Sequence, residues 1–190
     1  MRTESTVHCY RPAARCAACL LPMSDERQPS KGTYLLLARL DVTTDLTIGR
    51  LGKFTFPAGW YAYAGSARGP GGIQARLARH RRSSKRLHWH IDYLLQVSHL
   101  EKSWTIECTV RPECAWAAAV GQLPGALIAV PRFGASDCRC PGHLINFPTC
   151  PSDRQISDAL RIAAKRAGLL PSQPIRCNVY GTSTIADHRI

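Results

Sequence analysis

Trp60-Tyr61-Ala62-Tyr63-Ala64-Gly65-Ser66, then Gly69-Pro70-Gly71-Gly72, then Ile73-Gln74-Ala75-Arg76-Leu77-Ala78-Arg79-His80-Arg81 is the stretch on which the fold turns. Its first part reads as a strand, and a period of two puts Tyr61 and Tyr63 on one face with Gly65 beyond them. The glycine-proline break ends that strand, and Ile73 opens a helix of roughly ten residues. Upstream, Thr33 to Leu40 is a short β-type run. Leu46 to Phe56 reads as a hairpin interrupted by Gly49 and Gly52, and Pro57 to Gly59 as a turn. Downstream, a helix is expected from about His90 to Gln96, with Ile91, Leu94 and Leu95 buried. Trp104 to Val110 reads as a strand, and Pro112 suits the first turn of a helix running to about Val120. Gly125 to Val130 and His143 to Phe147 are short strands around a loop at Ser136 to Pro141. This order predicts an α+β fold, a small, mainly antiparallel sheet flanked by helices.

The chain's 190 residues suit one domain of ordinary size with tails. Residues 1–31 carry no sustained period and read as a flexible N-terminal extension, with Met23 the expected native start. The domain spans 32–150. Residues 151–190 supply a helix capped by Ser152-Asp153 and running to about Ala167, then a loose tail from Pro171. Hydrophobic residues at 45% and charged residues at 20% are globular proportions. No apolar run of about 18 residues offers a membrane span. Glu4 and the short apolar segment Cys16 to Leu21 make a poor secretory signal, so a cytoplasmic location is expected.

Charge narrows the partner. Lys and Arg number 25 against 13 Asp and Glu, a net +12 that favours polyanions. Arg68, Arg76, Arg79, Arg81, Arg82, Lys85 and Arg86 fall in one segment that also holds His80 and no acid. A solvated face normally mixes signs, so a polyanionic partner is the favoured reading of that run. His88-Trp89-His90-Ile91-Asp92-Tyr93 follows at once. Its histidines are either phosphate-facing or structural, and Trp89 and Tyr93 either stack on a base or anchor the core. Nine cysteines, an odd number, fit a closed disulfide framework badly. Cys16-x-x-Cys19 and Cys138-x-Cys140 invite a zinc reading, the latter with His143 and a partner such as Cys114. Incidental thiols are favoured and zinc is not expected.

Taken together, Gly32-Thr33-Tyr34 on a first strand, Tyr63-Ala64-Gly65 on a later one, Arg76 with His80 one turn on, and Glu113 opening a helix resemble the GIY-YIG nuclease superfamily. The likeness is strongest to a prokaryotic branch in which some members are fused to endonuclease-III-type repair enzymes. The phrases Phe56 to Ala67, Leu87 to Leu95 and Phe133 to Pro141 carry it, and it covers about 32–147. The resemblance implies metal-dependent hydrolysis of DNA phosphodiester bonds, in repair or processing. Tyr34 and Tyr63 would stand near the attacking water, Arg76 would steady the phosphate, and His80 would shuttle a proton. Glu113 would hold one Mg2+ or Mn2+, with Asp137 as a candidate further ligand. Arg68, Arg79, Arg81, Arg82, Lys85, Arg86, His88 and His90 would grip the nucleic acid. DNA is the implied partner, with RNA left open and association with repair proteins implied. Three departures stand beside this. The second motif reads Tyr-Ala-Gly, no asparagine near the end is an obvious match for a closing one, Asn146 being a candidate, and a hairpin between Asp41 and Pro57 would have to loop out for the tyrosines to meet. A binding module without cleavage is therefore the alternative.

Overall fold

β1 (Gly32–Leu40) runs through the interior of the sheet in a computed structural model that describes residues 30–169 and 174–180. Its near-continuous apolar run follows from that place, because both of its faces are covered and both of its edges are paired. The neighbours are β4 (Gly59–Ala67) on one side and β5 (His99–Glu107) on the other, both antiparallel. β7 (Leu144–Phe147) and the two-residue β6 (Leu127–Ile128) extend the sheet beyond β4. β8 (Arg176–Val179) extends it beyond β5, which gives the order β6-β7-β4-β1-β5-β8. The hairpin of β2 (Thr44–Ile48) and β3 (Gly52–Phe56) forms a separate two-stranded sheet and does loop out. Tyr34 consequently sits opposite Gly65 in the β1–β4 register.

Alternation along β1 and β4 divides the core in two. Leu35, Leu37, Ala62 and Ala64 face a cluster built on Trp104 and Trp116. That side is closed by α3 (Glu113–Val120) and α4 (Asp153–Arg166). α3 carries three successive alanines, Ala117 to Ala119, and packs against both the sheet and α4, while α4 also reaches β5 directly through Trp104 and Ser157. In α4, Ile156, Leu160, Ala163 and Ala164 recur at helical spacing on the buried side. The helix starts at Ser152, whose hydroxyl accepts from Gln155 N while the Gln155 side chain accepts from Ser152 N, a reciprocal cap worth about 1 kcal/mol.

Tyr34, Leu36, Tyr61 and Tyr63 point the other way, into a cluster closed by α1 (Gly72–Arg81), α2 (His90–Leu94) and the hairpin. The inward face of α1 is Ile73, Leu77 and His80, so Leu77 stands beside His80, while Arg76, one turn before His80, lies at the edge of that face. Burying that imidazole among apolar side chains pulls its pKa down to about 3.

The chain is thus an α+β fold with a mainly antiparallel six-stranded sheet and four helices among the described residues. Several boundaries differ from expectation. The strand expected over Gly125–Val130 shrinks to Leu127–Ile128, and α2 stops at Leu94. The tail expected to be loose contains β8, which pairs with Lys102 to Thr105 of β5. All four of its residues are exposed, so it carries no apolar alternation to betray it. Cys16-x-x-Cys19, the proposed start at Met23 and the expected flexible extension lie outside the described residues, apart from the last two positions of that extension.

Candidate active site

A cavity of about 360 Å3 opens where β1, β4, α1 and the start of α3 converge. Tyr34, Tyr63, Arg76 and Glu113, spread over eighty residues of sequence, all line it, together with Arg68, His88 and His90 from the expected grip. The two tyrosine rings lie 6.4 Å apart, centroid to centroid. Gly65 is what permits this. A Cβ there would stand 2.5 Å from the Tyr34 hydroxyl, so the Tyr-Ala-Gly motif needs its glycine to admit the phenol of the neighbouring strand. Gly134 does the same for Tyr63, since a Cβ would meet that ring at 2.6 Å, and its φ of 71° lies in the left-handed region.

Behind Tyr34 runs a buried polar line. Its hydroxyl is 2.9 Å from His80 Nε2, and His80 Nδ1 lies 3.8 Å from Asp92 Oδ1. Burial raises the Tyr34 hydroxyl well above its ordinary pKa, helped by the adjacent Tyr63, and burial likewise raises Tyr63. Both are therefore neutral phenols at pH 7. His80 does not line the cavity; it stands one layer behind, touching it through Tyr34.

Asp92 is the acid that the basic run lacked in sequence. Its side chain is wholly buried and accepts from Arg79 Nη1 at 2.8 Å and from the backbone N–H groups of His88 and Trp89, each at 3.0 Å. Burial alone would raise its carboxyl pKa, but those hydrogen bonds and the Arg79 charge outweigh it and hold it below the usual carboxylate range. Arg79 also donates to Arg86 O. The Lys85 ammonium, itself almost buried, donates to His80 O and lies 3.8 Å from Asp92. These two members of the expected grip are turned inward and brace the α1–α2 connection. Arg81, Arg82, Arg86 and His88 are exposed. Arg76 lies over the Trp89 ring at 3.7 Å, with Arg79 at 4.2 Å from the same ring, so Trp89 serves as a platform that orients the cavity's arginine. Arg68 donates to the carbonyls of Cys108 and Val110 and ties the end of β4 to the segment after β5. His90 Nδ1 accepts from Gly134 N at 3.1 Å, and burial lowers its pKa, which places the proton of the neutral ring on Nε2.

Glu113 opens α3 just after Pro112, nearly buried, and its Oε2 has no hydrogen-bond partner. Arg111 was not singled out in the sequence. It spans the mouth, 3.5 Å from Glu113 Oε1 and 3.6 Å from Asp137 Oδ2. Its only sequence signal was its place two residues before the helix. Asn146 lies on β7 and donates to Trp60 O, and it does not line the cavity.

The expectation of one Mg2+ or Mn2+ site at Glu113, with zinc set aside, is corrected here. Among the described residues, the donors that come together as a metal-type group are Cys114, Cys138, Cys140 and His143. Their ligand atoms all lie within 4.8 Å of one another, and Glu113 is not among them. These are the four residues that the sequence offers as a zinc set, set aside in favour of incidental thiols; packing brings Cys114, from α3, to the loop that supplies the others.

A family model described as "Domain of unknown function DUF123" matches residues 33–165, and the chain belongs to that family. No curated protein and no solved structure matches the chain. Among the described residues, no helix is long and apolar enough to cross a membrane.

Proposed function

We propose that this member of the DUF123 family is a cytoplasmic endonuclease of GIY-YIG type that hydrolyses DNA phosphodiester bonds. The observation that carries the reading is the convergence of Tyr34, Tyr63, Arg76 and Glu113 on one polar cavity, with exposed Arg81, Arg82 and Arg86 close by in the chain. Hydrolysis needs a water brought in line with phosphorus, an acceptor for its proton, and positive charge on the phosphorane-like transition state. Arg76, pre-oriented on Trp89, supplies charge to the non-bridging oxygens, and Arg68 and Arg111 add to the field. As the water's oxygen bonds to phosphorus, the Tyr34 oxygen takes the water's proton while its own passes to His80 Nε2. The opposite P–O ester bond breaks, its electron pair stays on the departing oxygen, and that oxygen is protonated from solvent. The imidazolium formed at His80 faces the Asp92 carboxylate, which opposes burial only in part, so His80 holds the proton in passing and returns it as the ring reverts to neutral. Tyr63 and the free Oε2 of Glu113 complete the set of groups that orient the water.

The test is a panel of duplex, branched and single-stranded DNA and RNA substrates with divalent cations supplied, wild type beside Glu113→Gln and Arg76→Ala. The expected result is nicking of DNA by the wild type and loss of at least about a hundredfold in either variant, as for removal of one transition-state interaction. Salt-dependent DNA binding without turnover on any substrate would replace the nuclease with a binding module on the same fold.

A further inference from the structure

We propose that Cys114, Cys138, Cys140 and His143 form a closed structural zinc site that fastens the first turn of α3 to the loop 134–143, and so fixes two walls of the cavity. Ligands about 2.0–2.3 Å from zinc in a tetrahedron lie roughly 3.5–3.8 Å from one another. Cys138 Sγ and His143 Nε2 already stand 3.5 Å apart, and the whole set lies within 4.8 Å. Side-chain adjustments of about 1 Å or less close it on an ion. Four protein donors leave no open position, which marks a structural site and not a hydrolytic one. Three thiols cannot be consumed as a disulfide pair, and each of the three is a free thiol.

The loop is built to present these atoms. Arg132, at a φ of 62°, donates from Nη1 to the carbonyls of Cys138 and Cys140 at 2.6 and 3.1 Å. His143 N donates to Phe133 O, and its own carbonyl accepts from Ala64 N on β4, beside Tyr63. The ligand shell therefore touches β4, α3 and the loop at once. Cys114 directly follows Glu113, and Cys138 directly follows Asp137, the two carboxylates bridged by Arg111. Zinc at the tetrad would hold those carboxylates at a fixed separation across the cavity mouth. Loading releases the thiol protons, so apparent affinity rises with pH.

The experiment is elemental analysis of the freshly purified full chain, followed by replacement with Co2+ under reducing conditions. One zinc per chain is expected, with a cobalt spectrum showing thiolate charge-transfer and tetrahedral d–d bands. Cys140→Ser should lose the metal. His143→Cys, which keeps four soft ligands, and Cys150→Ser, outside the set, should retain it. Hydrogen exchange reads the fastening: on chelation, amides of the first turn of α3 and of 134–143 should exchange faster together, while those of the β2–β3 hairpin do not change. Wild-type protein that is folded by circular dichroism yet takes up neither zinc nor cobalt overturns the site, as does full zinc in Cys140→Ser. Exchange unaltered by chelation at either wall overturns its role in fixing the cavity.

Discussion

Asp92→Ala should be among the most damaging single substitutions outside the apolar core. The carboxylate is fully buried and accepts three hydrogen bonds, from Arg79 at 2.8 Å and from two backbone N–H groups at 3.0 Å. Removing one side of a buried charged network typically costs about 3–5 kcal/mol, because the surviving charges and donors lose their partner. Here the low end applies. Arg79 is 23% exposed and His88 is at the surface, so water can reach part of what is left. The expected loss is about 3 kcal/mol at pH 7, and about 2 kcal/mol for Asp92→Asn, which keeps one acceptor but sets an amide against a donor. The assay is urea unfolding at low and high salt; burial should leave the difference almost insensitive to salt. Because the folded carboxyl is held below its usual pKa, its contribution is present above the unfolded pKa of about 3.9 and lost as pH falls through the lower folded value. The gap between wild type and Asp92→Asn should therefore begin to narrow as pH falls below about 3.9. A loss below about 1 kcal/mol at an unchanged denaturant slope, or a gap that does not vary with pH, would refute the reasoning.

His80 should make stability fall with acid over a different window. Its folded pKa is about 3 and its unfolded value about 6.5, so the unfolded chain binds the extra proton between them, and stability declines as pH drops below about 6.5. The slope from this group is at most about 1.4 kcal/mol per pH unit, and His80→Gln should flatten the wild-type curve by that amount between pH 6 and 4.5; parallel curves would count against a neutral buried imidazole. Replacing Arg81, Arg82 and Arg86 together by Ala should weaken DNA binding and reduce the log–log salt slope by up to about 0.9 for each phosphate that is no longer neutralised. Fluorescence anisotropy across a salt series measures this, and an unaltered slope would move the grip elsewhere.

The sheet, the tyrosine face and the basic character of α1 were legible because each is written in local period or composition. Tyr61 and Tyr63 fall on one face as a period of two requires, and both are buried in the same cluster. What escaped depended on partners distant in sequence. Arg79 and Lys85 looked uncompensated because Asp92 lies beyond the segment in which no acid was found. His80 does follow Arg76 by one turn, but Ile73 and Leu77 beside it take it inward, behind Tyr34 and out of the cavity lining. The thiol tetrad was nameable from sequence but read as incidental, because no pairwise cysteine spacing marks it as a site; α3 brings Cys114 to the loop through packing alone. β8 escaped for the opposite reason, since an exposed edge strand needs only backbone hydrogen bonds and has no buried side chain to pattern.

The looped-out hairpin bears on how far such a chain can drift without losing its chemistry. Tyr34 and Gly65 are held opposite one another by the antiparallel ladder of β1 and β4, to which β2 and β3 contribute nothing. The entropy of closing the excursion between them grows only logarithmically, by about 0.6 kcal/mol for each doubling of its length. The interval between the paired tyrosines is thus an elastic variable. Insertion there of a reporter, an affinity handle or a whole further module can stretch it while the two strands go on meeting at the same rung.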